Sequence, residues 1–268
     1  VDSYNDIPAI RNSDLNDFYK SPALYKYRKD HPDTERHDYY DIGTMYHKVI
    51  LEPETIQRDI LLYDMQDRPQ PTMTMAGKEN KAWMAQLVET AEKKKKQLIS
   101  MEHYNQAQAM AESTYDDPVA KELLAVESEH EVTRLWKHND MDCKCKIDIL
   151  NPFFNADLKS AADAEPYSWQ RKAYSTFRYH RQAGMYSDGD AGGLFTGEKE
   201  FFFIVCEKEP PYQVAVHQVT FELLMDGIAE YQRLTSEIKA CIKSDKWPGY
   251  SYHTFDGKFT WDLPKWAQ

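Results

Sequence analysis

Lys144-Cys145-Lys146-Ile147-Asp148-Ile149-Leu150 and, after a short turn, Ala156-Asp157-Leu158-Lys159-Ser160-Ala161 read as two β-strands joined by a tight connection. In the first, Cys143, Cys145, Ile147 and Ile149 alternate with Lys144, Lys146, Asp148 and Leu150, so a period of two sets Asp148 on the face opposite the isoleucines. In the second, Asp157 and Lys159 are two apart and share a face. Asn151-Pro152-Phe153-Phe154-Asn155 supplies turn residues that bring the strands antiparallel and set Asp148 beside Asp157. Two adjacent carboxylates repel one another unless a cation lies between them. Hard oxygen donors suit Mg²⁺ or Mn²⁺, and a lysine on the same face can steer or deprotonate a water that the metal has acidified. Such a set is equipped for phosphodiester hydrolysis. The D-x(8)-D-x-K spacing is nevertheless loose, and an ordinary hairpin with a solvent-exposed acid–lysine pair satisfies it equally well.

The 268 residues suffice for one large domain spanning 1–268, and no Gly/Ser-rich or Pro-rich linker divides them. Neither an apolar run of transmembrane length nor a basic-then-apolar leader is present, so a cytoplasmic protein without a membrane partner is expected. Val1 at the start points to a fragment of something longer. Cys143, Cys145, Cys206 and Cys241 are too few and scattered for a disulfide framework, form no C-x-x-C pair and are expected as free thiols. The net charge of -11 argues against a protein that coats nucleic acid nonspecifically, since that affinity comes from neutralising phosphates. It does not exclude a nuclease, which needs only a local positive track.

Along the chain, a short helix carries Leu15 and Phe18 from an N-cap at Ser13, and Ser21-Pro22 ends it; Pro22 then opens a second helix through Arg28. Asp30 to Asp41 is polar and reads as a loop. Ile42 to Glu52 reads as a helix with Met45, Val49 and Ile50 toward the core, leaving His47 on another face. A strand over Arg58 to Tyr63 is followed by a Pro-containing loop and two amphipathic helices, one around Trp83 and Leu87, the other around Ala107 and Met110. Lys93 to Lys96 ends the first of these and reads as a solvated helix end. Asp117-Pro118 starts another helix, and Val132 to Lys137 forms a hairpin with the Asp148 strand through His138-Asn139-Asp140.

Tyr167 to Ser187 reads as helical and contains no acid, although the chain holds 44. It carries Arg171, Lys172, Arg178, Arg181, Gln182 and Tyr186 with aromatics interleaved, the best candidate for a DNA-facing surface. Arg178, Gln182 and Tyr186 are spaced by four and share a helical face. An amphipathic helix whose basic face meets acidic neighbours is the competing reading. Strands over Phe201 to Cys206 and Gln213 to Val219 complete a mixed sheet, and Phe221 to Lys243 forms a long helix with Glu222 and Glu230 exposed. In the tail, Trp261 and Trp266 are expected to pack on the domain or on a neighbouring subunit.

The order of motifs resembles the RecB-like branch of the PD-(D/E)xK nucleases, and within it the C-terminal nuclease domain of RecE-type proteins (exonuclease VIII). Besides the acid–acid–lysine set, Ser13-Asp14-Leu15-Asn16-Asp17-Phe18-Tyr19-Lys20-Ser21-Pro22 is similar to the family's opening helix. Gly43-Thr44-Met45-Tyr46-His47, followed by Glu52, resembles its G-T-x-x-H element. Gln182-Ala183-Gly184-Met185-Tyr186 matches Q-x-x-x-Y, and Trp247-Pro248 with Leu263-Pro264-Lys265-Trp266-Ala267 resembles the RecE-type tail.

The resemblance implies a restriction-endonuclease-like α/β fold, a mixed central sheet flanked by helices. It implies Asp148 and Asp157 as metal ligands with His47 and the Leu158 carbonyl, Lys159 as the residue that orients or activates water, and Gln182 and Tyr186 as strand-positioning residues. Mg²⁺, replaceable by Mn²⁺, is the implied cofactor. Some RecB-like relatives carry an iron–sulfur cluster, but the opening position here is Ser21 and no C-terminal cysteine trio exists, so none is expected. The implied substrate is a linear duplex end degraded 5′ to 3′, leaving a 3′ overhang for recombination with a strand-annealing partner, by a ring-shaped homo-oligomer. Two departures stand out: Asp157 replaces the commoner Glu, and Glu52 lies one residue further from His47 than usual, which leaves its role open. An endonuclease of the same fold, a noncatalytic DNA-end-binding module or an unrelated α/β protein are the alternatives.

Overall fold

A computed structural model describes residues 4–31, 39–72, 74–75 and 77–260. The tail motif from Leu263 to Ala267, Trp261 and most of the polar stretch before Tyr39 lie outside the described residues. In chain order the elements are α1 (Asn12–Lys20), α2 (Pro22–Asp30), α3 (Tyr39–Leu51), α4 (Ile56–Asp59), β1 (Ile60–Tyr63), α5 (Lys78–Lys94) and β2 (Gln97–Ser100). There follow α6 (Met101–Asp116), α7 (Pro118–Ala125), β3 (Glu129–His138), β4 (Met141–Leu150) and β5 (Phe154–Ala161). The chain continues through α8 (Pro166–Ser175), α9 (Tyr179–Asp190), β6 (Glu200–Glu207), β7 (Val214–Val219) and α10 (Phe221–Ser244).

The main sheet runs β3-β4-β5-β6-β7. Its β5–β6 pair is parallel and the others are antiparallel, so the mixed sheet read from the sequence is the one observed. A parallel pair needs a crossover, and α8 and α9 provide it. Along β6, Ile204 and Cys206 join a cluster with Met45, Tyr46, Ala107 and Met110 of α3 and α6, while Phe201, Phe203 and Val205 join Trp169, Ala183 and Leu224. Helices therefore cover both faces, as a sheet with a central, near-continuous apolar strand requires. None of the described helices is long and apolar enough to cross a membrane. Cys143, Cys145 and Cys206 are buried free thiols, and Cys241 is a half-buried one.

Several local expectations shift, each for a physical reason. The first helix starts at Asn12 rather than after Ser13, because the Asp14 carboxylate reaches back to accept the Arg11 N–H at 3.1 Å. Ser21 ends that helix and caps α2, its Oγ accepting the Leu24 N–H at 3.2 Å. The strand β2 went unread: it is four residues long and is a strand because it pairs in parallel with β1. The acid-free stretch is two helices rather than one, broken at Arg178, whose φ of 56° is left-handed. Alternation along β4 holds through Ile147, but Ile149 packs with the α3–α6 cluster and Leu150 with the other. The change falls at Asp148, opposite which Glu131 has a φ of 55° and drops out of the β3–β4 ladder.

Where α9 and α10 cross, glycines set the separation. A β-carbon on Gly227 would lie 2.0 Å from the His180 carbonyl oxygen, and one on Gly184 would lie 2.5 Å from the Ile228 nitrogen. Both obstacles are backbone, so a side chain can be admitted only by moving a helix. Gly227→Ala is expected to destabilise the protein by about 1–3 kcal/mol, the usual cost of overpacking. Equilibrium denaturation measures it, and an unchanged midpoint would mean that the helices do not approach this closely.

Candidate active site

The β4–β5 ladder consists of Ile149 opposite Ala156 and Leu150 opposite Asn155, and it stops there. One step further in the same register are Asp148 and Asp157, so the strands part where the two carboxylates stand. Asp148 Oδ2 accepts the Leu158 N–H at 2.9 Å, replacing with a side chain the ladder bond that the parting removes. Both carboxylates are buried, with 7% of Asp148 and 2% of Asp157 exposed.

Side chains from β5 and from two further elements close around this point. From β5 itself, the Lys159 ammonium forms an ion pair with Asp157 Oδ2 and lies 4.8 Å from the Tyr179 ring centroid. From α9, Gln182 Nε2 donates to Asp157 Oδ1 at 2.6 Å. From α3, His47 Nδ1 lies 3.4 Å from Asp148 Oδ2. Helix α3 lies close to the sheet at Gly43, where a β-carbon would sit 3.1 Å from Ser160 Oγ, a tight contact. His47, Asp148, Asp157, Lys159, Gln182 and Tyr186 all line one open cavity of about 1450 Å³.

The other residues singled out in the sequence divide between the cavity and the rest of the protein. Arg178 lines the cavity, stacked 4.5 Å over the Tyr19 ring and bonded to Glu230 Oε1 at 2.7 Å. Arg171 is exposed on α8 outside the cavity, and Lys172 beside it bonds Asp163 at 3.2 Å. Arg181 corrects the expected DNA-facing surface: it is 0% exposed, donating from Nε to Asn12 Oδ1 at 3.0 Å and from Nη2 to Asn16. It braces α1 against α9 and has no surface to offer a phosphate. Glu230, read as exposed, is buried because Arg178 and His180 both bond it. Burial works to raise its pKa, but those two hydrogen bonds together with the charges of Arg181 and Arg178 outweigh it and hold the carboxyl at about 2. Glu52 sits at the cavity rim and pairs with Lys48 at 3.4 Å.

Glu131 and Lys146 were missed. Glu131 Oε2 forms an ion pair with Lys146, and His47, Glu131 and Asp148 each offer a ligand atom within 4.8 Å of the others. The signal was available: the turn at Asn139-Asp140 pairs His138 with Met141, and counting back along that register puts Glu131 opposite Asp148. Starting the strand at Val132 concealed it.

The donor set fits a hard divalent cation. Two buried carboxylates diverge from a common point, and an imidazole stands beside them whose pKa is held below its usual value by burial, leaving a neutral ring. A family model described as "PDDEXK-like domain of unknown function (DUF3799)" matches residues 12–254. The chain belongs to this PDDEXK-like family. Its fold is also that of a "Putative exonuclease" from Eubacterium rectale, whose crystal structure aligns at a TM-score of 0.62 with 13% identity, covering 98% of this chain and 95% of that one. The crystal structure of SSO0001 aligns over 79% of this chain and 90% of that one at 12% identity, but its TM-score of 0.32 carries no argument. No curated protein matches the sequence.

Burial pushes the carboxyls of Asp148 and Asp157 up to about 6 each, against the pull of Lys159, and the Asp148 charge further raises Asp157. In the unfolded chain such groups ionise near ~4, so the metal-free folded protein holds their protons longer. The corresponding stability is complete below that value and is lost as pH rises through about 6. Asp148→Asn keeps an oxygen for the Leu158 N–H and removes one of the two charges. In EDTA its thermal midpoint should decline less than that of the wild type between about pH 4 and pH 7. Parallel profiles for the two proteins would show that these carboxyls do not titrate in that window.

Proposed function

We propose that this PDDEXK-like domain is a metal-dependent deoxyribonuclease that acts on the ends of linear double-stranded DNA. The observation that carries the reading is the meeting of Asp148 and Asp157 where β4 and β5 part, with Lys159 ion-paired to Asp157 inside an open cavity. A structural ion pair needs neither a second buried carboxylate nor a cavity of this size.

Asp148 and Asp157 would hold Mg²⁺ or Mn²⁺, with His47 and the Leu158 carbonyl completing the set. When bound, such a cation acidifies a water and offsets the charge that builds on a phosphate under attack. The residues of this chain do the rest. Lys159, held above its ordinary pKa because Asp157 and Asp148 outweigh the opposing effect of burial, stays protonated to orient the attacking oxygen. Gln182 fixes the Asp157 carboxylate through its 2.6 Å hydrogen bond. Tyr186 remains a neutral hydroxyl, its pKa raised far above the usual value by burial, and with Arg178 it positions the strand.

The RecE-type order of motifs supports the finer reading of 5′ to 3′ exonuclease action that leaves 3′ overhangs for an annealing partner, carried out by a ring-shaped homo-oligomer. The Eubacterium rectale neighbour, named an exonuclease, supports the same preference for ends.

Linear duplex labelled at the 5′ or the 3′ end, incubated with Mg²⁺ beside closed circular DNA and an EDTA control, tests the proposal. Early release of the 5′ label, with the circle spared and EDTA inhibiting, is expected. Cutting of the circle would replace the reading with an endonuclease, and the absence of hydrolysis with either cation would replace it with a binding module. Asp157→Asn and Lys159→Ala should each reduce hydrolysis by at least about 10²-fold while circular dichroism is unchanged.

Arg178, at the break before α9, and Arg181, inside α9, are set apart by what they touch. Arg178→Ala should weaken duplex binding and lower its salt slope by about one, as loss of one phosphate contact does. Arg181→Met should instead lower the thermal midpoint, since it removes the brace between α1 and α9. The reverse pattern would mean that the guanidinium reaching DNA has been misplaced.

A further inference from the structure

Tyr4 precedes the stretch 12–254 that matches the family model, yet it lines the cavity that holds Asp148 and Asp157. Its segment docks on the edge that β5 gives up. Once β4 and β5 part, the backbone groups along that edge of β4 need other partners. Ile10 supplies them: its N–H donates to the Asp142 carbonyl at 2.8 Å, and its own carbonyl accepts the Lys144 N–H at 2.8 Å. The Lys144 side chain completes the attachment. Its ammonium donates to the carbonyl oxygens of Tyr4 and Ile7 at 2.7 Å each and lies 4.5 Å from the Tyr4 ring centroid. Lys144 is buried, and among the described residues no carboxylate forms an ion pair with it. A buried ammonium is costly unless its donors are used. Here two backbone carbonyls and a ring of the docked segment use them, so the charge is satisfied only while Tyr4 stays in place.

The Tyr4 ring itself is half-buried and short of partners. Among the described residues its hydroxyl forms no hydrogen bond, no other aromatic ring packs on it, and it joins no apolar cluster. Other aromatics of the cavity wall are engaged: Tyr19 lies under the Arg178 guanidinium at 4.5 Å, and Phe177 and Tyr179 stack on each other at 5.2 Å. After burial and the nearby carboxylates, the Tyr4 phenol also contributes to the raised pKa of Tyr186, so the two hydroxyls are neighbours. An aromatic ring fixed by a cation at the wall of a cleft, with no ring of its own to pack on, is suited to a planar ligand, and every nucleobase offers a π-face.

We propose that Tyr4 stacks on a nucleobase of the strand being cut, and that Lys144 is the positioning residue that holds the ring there. The proposal rests on the nuclease reading above: a strand whose phosphate reaches Asp148 and Asp157 runs along the cavity wall, and a base close to that phosphate meets the ring. Such a contact tolerates any sequence, because stacking does not read hydrogen-bonding edges. That suits an enzyme that shortens DNA from its ends whatever the bases are.

Hydrolysis of linear duplex with Mg²⁺ tests this when a baseless tetrahydrofuran nucleotide replaces each of the end nucleotides in turn. On the intact duplex Tyr4→Ala should lower kcat/KM by about fivefold or more, the lower bound of what losing one base–aromatic stack costs, while Tyr4→Phe stays within about twofold of the wild type. At one position the missing base should cost the wild type and Tyr4→Phe a similar factor and cost Tyr4→Ala nothing further, the non-additivity of two groups in contact. Lys144→Met keeps the tyrosine but removes its anchor, and it should match Tyr4→Ala on both substrates. Each comparison is a ratio between two substrates on one preparation, so partial unfolding of a variant cancels. An unaffected Tyr4→Ala, or losses that multiply at every position, overturns the stacking, and a Lys144→Met that still responds to the missing base overturns the role of Lys144. In each of these cases the wild type hydrolyses duplex and the nuclease reading stands; a wild type that hydrolyses no substrate overturns both.

Discussion

The parting of β4 and β5 at Asp148 and Asp157 is the constraint on which the rest of the site depends. Had the two strands stayed paired, the Leu158 amide would bond the β4 backbone and leave the Asp148 carboxylate without it. Because the ladder ends at Ile149 and Ala156, the backbone amide of Leu158 is free to bond Asp148, and that bond fixes the carboxylate's direction. An unpaired N–H buried in the sheet would cost about 1–3 kcal/mol, so the Asp148 carboxylate, a metal ligand in the proposed function, also repairs the break. On that proposal, repair and function are not separable at Asp148.

Helix α9 depends on the same opening. Its Gln182 reaches Asp157 only because α9 lies against the face of β5 that carries Asp157 and Lys159. Helix α10 holds it there through the glycine contact of Gly184 and Gly227, which leaves Glu230 buried beside Arg178 and His180. A buried carboxylate needs partners. Here those partners include the arginine at the left-handed break between α8 and α9, so the charge that anchors α10 also orients a cation toward the cavity.

The sequence made the sheet legible because its strands alternate or run apolar, and the acids and lysine of β4 and β5 were legible because period two and one turn suffice to place them. His47 was legible through the helix that carries it. The basic stretch was misread in part, for a definite reason: spacing reports the face of a continuous helix, whereas a single left-handed residue at Arg178 divides this one. Beyond that break Arg181 turns inward toward Asn12 and Asn16, residues 165 or more positions away in the chain, and no local pattern reveals such partners. Strand β2 escaped for the same kind of cause, since its state is set by a partner strand rather than by its own four residues.

The charge balance of the cavity bears on how an acidic chain could address a polyanion, as the proposed function requires. Six cationic side chains line it, Lys20, Lys48, Lys146, Lys159, Arg178 and Lys208, against four acidic ones, Glu52, Glu131, Asp148 and Asp157. The lining is thus net positive by two, while the chain as a whole carries -11, so the remaining surface carries the balance of the negative charge. Low-dielectric walls concentrate the field of such an inversion within the cleft. On the proposed function, nucleic acid would be repelled from most of the surface and admitted at the cavity, and each divalent cation held by the carboxylates would deepen the contrast by two charges. Under that proposal an acidic exterior would act as a selectivity device: it would suppress the nonspecific coating that a basic protein shows and leave the cavity as the site of contact.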